Sequence, residues 1–386
     1  MRRYRRPAVI VLVVLSAALA GLAVSEARRD TTPPKLYIEL PERAEAGTGA
    51  ELLITADEPV TYRVRYGAFD ESKVTQDWKL TLTAEAGQLP VDIRATDGAG
   101  NSTDEQAVID GVPAPEPRVT SLGQVQAGDP LGVAIAWPPG SAGVTGVSVT
   151  FDGTPARVIR QAGGAGGQGS AEAIAPVPLG TKPGAYTLQV TVADEFGQEH
   201  AVTRSIEVAE PKQPVEMIHL QPDVLSQATA QNTAIEQKAF AGAFATTPPT
   251  PDWQTPFEIP IEGVESAGFG SARRYVVGGP VSYHTGLDLA ANAGTPIHAA
   301  NDGVVAIAED LPISGNVVAI DHGAGVFSLY FHQSKILVHV GEQVTRGQVI
   351  GLVGTTGLST GPHLHWEMRV DGVPTNPLAW VGHLFP

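Results

Sequence analysis

The stretch from Gly294 to Gly354 decides the fold class, because short apolar runs alternate there with glycine-containing turns. It includes "GTPIHAANDGVVAIAED" (294–310), "GNVVAIDHGAGVFSLYFH" (315–332) and "VHVGEQVTRGQVIGLVG" (338–354). β-Branched residues favour strands, and glycine supplies the turn conformations between them. The pattern predicts a compact β-sheet domain over residues 257–386.

The preceding sequence also predicts strands, now with alternating apolar and polar residues. Examples are "KLYIEL" (35–40) and "VDIRAT" (91–96), then "GVAIAW" (132–137) and "YTLQVTV" (186–192). Short strands at this spacing are typical of β-sandwiches. We expect two such domains, over 33–111 and 115–210, in a protein that is mainly β.

A local repeat links these two segments. "VDIRATDGAGN" (91–101) and "LQVTVADEFGQ" (188–198) place Asp97 and Asp194 at matching positions. Each resembles the closing hairpin of bacterial immunoglobulin-like domains. Both aspartates are interpreted as turn-forming residues rather than as calcium ligands, because Asx side chains commonly close such turns.

Residues 211–256 are predicted to be a linker. They are rich in Gln, Ala, Thr and Pro, and "TTPPTP" (246–251) is typical of a semi-rigid spacer. A helix fits within Asp223–Phe244, which has no interior proline, although its apolar stripe is weak.

Residues 1–30 read as a targeting segment. "MRRYRR" (1–6) precedes an apolar run from Pro7 to Val24, which fits either a cleaved signal peptide or an uncleaved membrane anchor. Both alternatives place the rest of the chain outside the cytoplasm, because the arginines stay inside.

Composition excludes several classes of partner and site. The formal net charge is −16, whereas a nucleic-acid-binding protein needs a basic patch. The chain has no cysteine, so it has neither disulfides nor cysteine-ligated zinc. A zinc site in this chain is therefore built from His, Asp or Glu.

Histidines are concentrated in three short motifs. "YHTGLDLA" (283–290) has His284 and Asp288 on one face in either a helix or a strand. In "SLYFH" (328–332), Tyr330 and His332 share a face of a strand. In "PHLHWE" (362–367), His363 and His365 share a face, with Leu364 opposite. Imidazole and carboxylate suit Zn²⁺, and three protein ligands leave a fourth position for water.

Together the three motifs resemble the M23 (LytM/lysostaphin-type) zinc endopeptidases over roughly residues 260–380. The resemblance implies a β-sheet domain of the duplicated hybrid motif type. It also implies Zn²⁺ as cofactor, with His284, Asp288 and His365 as ligands. His332 and His363 then match the two non-ligand histidines that activate the water and stabilise the transition state.

Other residues of this region are assigned no catalytic role. His322 is interpreted as structural, and His298 and His339 as incidental. Strand parity places Trp366 in the core, and Arg273 is interpreted as part of a solvated turn.

The resemblance predicts a cell-envelope enzyme that hydrolyses the peptide crosslinks of peptidoglycan. The alternative is a catalytically silent module that binds the wall or activates other hydrolases. "VHVGEQVTRGQVIGLVG" is also similar to biotinyl or lipoyl carrier hairpins, but no lysine lies at its tip. An adhesin role for the immunoglobulin-like domains is compatible with the enzyme.

Overall fold

The computed structural model describes residues 30–162, 169–209, 215–217, 228–274, 282–383 and 385. Strands predominate throughout, so the predicted mainly β fold is confirmed. Nearly all of the predicted targeting segment, residues 1–29, lies outside the described residues. Within the described part, no helix is long and apolar enough to cross a membrane.

The first unit is one connected sheet of six strands. These are β1 (Leu36–Glu39), β2 (Arg43–Glu45), β3 (Gly49–Tyr66), β4 (Phe69–Thr83), β5 (Gly87–Thr96) and β6 (Ser102–Val112). The sheet order is β1-β3-β5-β6-β2, with β4 paired to β3. Alternate residues of β3 are buried, so its apolar side chains form one core face.

One long strand connects the two halves of this unit. Strand β3 has 18 residues and a register shift between Thr55 and Val60. Its first half pairs with β1 and its second half with β5, while β4 runs along the other edge. A bulge bends a strand and increases its twist, which lets one long strand serve both halves of the sheet.

The second unit has two sheets around one core. Its strands are β7 (Arg118–Ser121), β8 (Gln124–Gln126), β9 (Pro130–Trp137), β10 (Val144–Phe151), β11 (Thr154–Pro155), β12 (Arg157–Ala162), β13 (Gly169–Pro176), β14 (Gly184–Asp194) and β15 (Glu199–Ala209). The sheet orders are β11-β10-β14-β15-β8 and β12-β13-β9-β7. Both sheets contribute to the core, for example through Ile135 and Val190. The immunoglobulin-like character of the two units stays a prediction.

The aspartates of the local repeat form the expected turns. Asp97 Oδ1 accepts the backbone N–H groups of Ala99 and Asn101, both at 2.8 Å. Asp194 Oδ1 accepts those of Phe196 and Gln198, both at 2.9 Å. Each side chain therefore closes the hairpin that precedes the last strand of its unit.

The C-terminal unit is built on an eight-stranded sheet. The strands of the whole unit are β16 (Val215–Met217), β17 (Val264–Ala267), β18 (Ala272–Arg274), β19 (Ser282–Tyr283), β20 (Leu287–Ala290), β21 (Pro296–His298), β22 (Gly303–Leu311), β23 (Gly315–Asp321), β24 (Val326–Gln333), β25 (Lys335–Ile336), β26 (Gln343–Val344), β27 (Val349–Leu352), β28 (His363–Val370) and β29 (Val373–Thr375). The main order is β17-β20-β28-β24-β23-β22-β26, with β29 beside β28. Two smaller sheets, β21-β27-β25 and β16-β18-β19, complete it, and a short 3-10 helix follows at Pro377–Trp380.

One helix, α1 (Ala230–Phe244), packs on this unit rather than crossing a free linker. Thr229 caps its N-terminus by accepting the N–H of Asn232. Phe240 is buried against Phe331, with ring centroids 6.1 Å apart. Trp253 also lies in the core of the unit, 1% exposed. The C-terminal core thus recruits residues before 257, although the helix was expected within the linker.

The second unit contacts the C-terminal unit directly. Ile159 and Ile174 belong to the same buried cluster as Trp253. Arg157 forms an ion pair with Asp371 across the boundary. These contacts join the two units through an apolar patch with a polar rim.

Candidate metal centre

Three predicted ligands meet at the junction of β20 and β28. These strands are antiparallel, and Asp288 pairs directly with His365. His284 lies just after β19, in the turn that leads into β20. Asp288 Oδ1 is 2.7 Å from His365 Nδ1 and 2.9 Å from His284 Nε2, and the two nitrogens are 2.9 Å apart. One oxygen and two nitrogens therefore converge on a single point.

Hydrogen bonds on the outer side of each ring fix which nitrogen carries the proton. His284 Nδ1 donates to the carbonyl of Gly268 at 2.9 Å. His365 Nε2 donates to Glu367 Oε1 at 3.0 Å. The inner nitrogens face each other and a carboxylate, so in the metal-free site a proton is shared among them, and it leaves when a metal ion takes its place. Such an arrangement needs a positive charge at its centre, and two imidazoles with one carboxylate fit a divalent metal ion.

The glycine in "HTGLD" is required by this close approach. A Cβ atom on Gly286 would lie 2.6 Å from the carbonyl oxygen of Trp366 and 2.7 Å from the ring of His365. A larger residue would push β28 away from the turn and separate the three inner atoms.

The buried carboxylate of Glu367 holds His365 from behind. Glu367, on the same face of β28, accepts Thr285 Oγ1 at 2.5 Å and Arg369 Nε at 2.7 Å. Arg369 in turn lies over the ring of Phe240 in helix α1, 5.2 Å from its centroid. The helix therefore supports His365 through Arg369 and Glu367. The sequence analysis missed this series of contacts, although the alternation of "HLHWEMR" was sufficient to place His365, Glu367 and Arg369 on one face.

Arg273 is not in a solvated turn, so that interpretation was wrong. Its Nη2 donates to Asp288 Oδ2 at 2.8 Å, and its side chain is only 15% exposed. The guanidinium is drawn into the site because the buried carboxylate needs a partner for its second oxygen. Asp288 Oδ1 stays directed at the two histidines.

The two predicted non-ligand histidines line the same cavity, which has a volume of about 400 Å³. His363 Nδ1 donates to the carbonyl of Gly361 at 2.8 Å, and His332 Nδ1 to that of Thr356 at 2.8 Å. Their ring centroids are 4.9 Å apart. His363 Nε2 lies 3.9 Å from Asp288 Oδ1. Nδ1 of each ring is thus committed to a backbone carbonyl, and Nε2 is the nitrogen left for other contacts.

His332 reaches the cavity by breaking the strand alternation, which the sequence analysis did not predict. Tyr330 is fully buried in the core, where its hydroxyl oxygen accepts Ser328 Oγ and the backbone N–H of Ala300, both at 2.8 Å. His332 instead lines the cavity. The register of β24 shifts between Tyr330 and Gln333, and His332 has φ of +60°. The expectation that Tyr330 and His332 share one face was therefore wrong. This backbone conformation is unusual outside glycine and is often found at functional sites.

Burial and hydrogen bonding set the protonation of the site. Burial opposes ionisation of Asp288, but hydrogen bonds from His284 and His365 hold its pKa below the ordinary value. Burial likewise opposes a charged His365, yet Asp288 and Glu367 outweigh it and raise the pKa of His365 to about 9. Burial, followed by the charges of His365 and His363, lowers the pKa of His332 to about 3. His332 is therefore neutral at physiological pH.

The remaining predicted histidines lie away from this cavity. His322 is completely buried, with Nδ1 donating to the carbonyl of Asp302 at 2.6 Å and Nε2 2.7 Å from Ser328 Oγ. His298 contacts the carbonyl of Pro260, and His339 is exposed beside Glu342. Trp366, also predicted to be in the core, is fully buried.

The fold and the site define a metallopeptidase-type domain, in which histidine and carboxylate donors meet on two neighbouring strands within a β-sheet. Residues 282–377 match the family model of Peptidase family M23, and the C-terminal domain is a member of that family. The predicted resemblance is confirmed on this point.

Curated relatives agree with this assignment over the same region. Peptidoglycan DD-endopeptidase ShyA of Vibrio cholerae is 46% identical over 113 residues, which are 29% of this chain and 26% of the relative. An uncharacterised metalloprotease of Haemophilus influenzae is 41% identical over 114 residues, 29% of this chain and 24% of the relative. The chain thus spans about a quarter of the length of these relatives. The name of the second relative, a metalloprotease, supports a metal cofactor.

A solved structure is also similar. The catalytic domain of the antimicrobial peptidase lysostaphin from Staphylococcus simulans is 33% identical and aligns with a TM-score of 0.28. The alignment covers 30% of this chain and 90% of that one.

Proposed function

We propose that this protein is a zinc-dependent endopeptidase that hydrolyses peptide crosslinks of peptidoglycan. One observation carries the proposal. His284 Nε2, Asp288 Oδ1 and His365 Nδ1 lie within 2.9 Å of one another, and Asp288 and His365 line an open cavity.

These three atoms are the proposed ligands of Zn²⁺. Their donor set is one that zinc accepts, and three protein ligands leave a further position for water or substrate. When bound, the ion lowers the pKa of a water molecule to about 7 and polarises a carbonyl group. Arg273 and Glu367 orient the ligands, since each occupies the outer atom of one of them.

His363 is the proposed proton acceptor. Its Nδ1–H is committed to Gly361, so Nε2 is free to take a proton near the ligand oxygen of Asp288. Protonated, the same nitrogen is a donor and returns the proton to the leaving amine, as general acid–base catalysis requires.

His332 has a related role on the opposite wall of the cavity. Its low pKa keeps the ring neutral, and Nδ1 is held by Thr356. We propose that its Nε2 accepts a hydrogen bond from the attacking water or from the substrate amide. Because its backbone conformation is fixed by the bulge, the ring needs little reorganisation during the reaction.

The substrate class follows from the relatives. ShyA is named a peptidoglycan DD-endopeptidase, and we propose a DD crosslink as the bond cleaved here. Such a substrate places the protein in the extracytoplasmic cell envelope. We further propose that residues 33–111 and 115–210 are immunoglobulin-like domains that position the peptidase in the wall. Attachment of the segment 1–30 to a membrane stays a prediction.

The alternative is a catalytically silent module that binds the wall or activates other hydrolases. It is disfavoured because all five site positions carry the residues that catalysis needs. The test is hydrolysis of defined peptidoglycan fragments, with DD-crosslinked and glycine-bridged dimers compared by mass spectrometry. We expect cleavage of the DD crosslink by the zinc-loaded protein and none by His365→Ala. A zinc-loaded protein that cleaves neither dimer would favour the silent module.

A further inference from the structure

A second cluster of metal-binding side chains lies between the first two units, far from the M23 motifs in sequence. Glu45 ends β2 of the first unit, Asp194 ends β14 of the second, and His200 follows in β15. His200 Nε2 is 3.4 Å from Asp194 Oδ2 and 3.7 Å from Glu45 Oε1. One atom from each residue lies within 4.8 Å of the others.

The cluster contains a buried acceptor without a partner. Glu45 is 7% exposed, and its Oε2 has no hydrogen-bond donor among the residues that the structure describes. The nearby guanidinium of Arg43 does not supply one, because it pairs with Glu195 at 2.9 Å and Asp110 at 3.8 Å. An unpaired buried carboxylate oxygen costs free energy unless a proton or a cation meets it.

The local repeat offers a comparison within the same chain. In the first unit, Asp97 Oδ1 closes its turn and Oδ2 accepts Asn101 Nδ2 at 2.7 Å. In the second unit, Asp194 Oδ1 closes the same turn, but the residue at the matching position is Gln198, which contributes its backbone N–H. Asp194 Oδ2 is therefore directed at His200 instead. The turn is shared, and a carboxylate oxygen that faces a histidine is particular to the second unit.

The charges of the cluster also favour a cation. Glu45 and Asp194 are both buried, and both carboxyl groups lie beside the single ring of His200. A divalent ion compensates the charge of both carboxylates together.

We propose that Glu45, Asp194 and His200 bind a divalent transition-metal ion of the Zn²⁺ class, which fixes the first unit against the second. One imidazole and two carboxylates are donors that zinc accepts, whereas calcium prefers six to eight oxygen ligands. The ligands come from both units, so binding stabilises their mutual orientation. The site is independent of the proposed peptidase activity, because it shares no residue with the M23 domain.

The test is the zinc content of the full-length protein after equilibration with buffered Zn²⁺ and desalting. Glu45→Gln preserves the size of the side chain and removes its charge, and His200→Asn removes the imidazole. His339→Asn is the matched control, because His339 also lies beside a carboxylate, Glu342, but is exposed.

We expect each cluster variant to bind one equivalent less than the wild type, with the control unchanged. If the M23 site is loaded, the wild type should hold two zinc ions per chain and each cluster variant one. If the M23 site is empty, the wild type should hold one and each cluster variant none. Failure of the proposed function is therefore recognised separately from failure of this proposal. Hydrolysis of a soluble crosslink peptide and the circular dichroism spectrum should be unchanged in Glu45→Gln. Equal zinc in wild type and both variants would overturn the proposal and indicate a proton at the cluster.

Discussion

Glu367→Gln tests whether the residues behind His365 tune the metal site. Glu367 is 2% exposed and accepts His365 Nε2 at 3.0 Å. The substitution keeps the size of the side chain and an oxygen for this hydrogen bond, but it removes the negative charge. It also leaves Arg369 without its carboxylate partner. We therefore expect a folded protein with a weaker metal site.

The magnitude follows from the contacts that are lost. Burial opposes ionisation of Glu367, but the charge of Arg369 and hydrogen bonds from His365 and Thr285 lower its pKa to about 2. The residue is thus a full anion behind the ligand. Loss of such an outer partner typically weakens metal binding about 10- to 100-fold, which corresponds to about 1.4 to 2.7 kcal/mol.

The assay is competition for zinc with a chromophoric chelator, followed by turnover at saturating zinc. Glu342→Gln is the control, because it removes the carboxylate beside the exposed His339 at 2.9 Å. The control should bind zinc as tightly as the wild type. If Glu367→Gln also did so, the support of His365 by Glu367 would contribute nothing to the metal site, and the reasoning would be refuted.

Three further predictions concern the same domain. His365→Ala should bind one equivalent of zinc less than the wild type and lose turnover, whereas His363→Ala should keep the zinc content of the wild type and lose turnover, as measured by metal analysis and peptide hydrolysis; equal loss of zinc from both would contradict the division of roles. His322 has a pKa lowered by burial to about 4, so the unfolded chain binds its proton first, and stability present above pH 6.5 should fall by about 3 kcal/mol toward pH 4. His322→Gln should flatten that part of the unfolding profile, and an unchanged profile would refute the assignment. Glu236→Ala removes three hydrogen bonds to Ile313 and Ser314 and should destabilise the domain by about 2–4 kcal/mol, since buried donors are left unpaired; an unchanged melting temperature would show that helix α1 does not support this loop.

Sequence alone predicted much of the candidate site because most of its residues lie in short motifs on regular strands. Period-two alternation placed His363 and His365 on one face and Trp366 in the core, as the structure has them. The spacing of His284 and Asp288 left helix and strand open. The structure resolves this by placing Asp288 in β20 and His284 in the turn before it.

The remaining features depend on long-range contacts or on backbone irregularities. The sequence gives no sign of the bulge at His332, because no glycine marks the position. The positive φ of His332 accompanies the register shift between β24 and β23. Arg273 was misjudged because its partner, Asp288, is 15 residues away. Helix α1 had only a weak apolar stripe, since few of its residues are buried and one of these, Glu236, is charged.

The most direct test of the central claim is a crystal structure with anomalous data collected on both sides of the zinc absorption edge. The account predicts an anomalous peak bounded by His284 Nε2, Asp288 Oδ1 and His365 Nδ1, with each ligand at about 2.0–2.2 Å. His332 and His363 should lie nearby without coordinating the ion. A zinc-loaded, active crystal with no peak among these three atoms, or with His363 in place of His365 as a ligand, would contradict it.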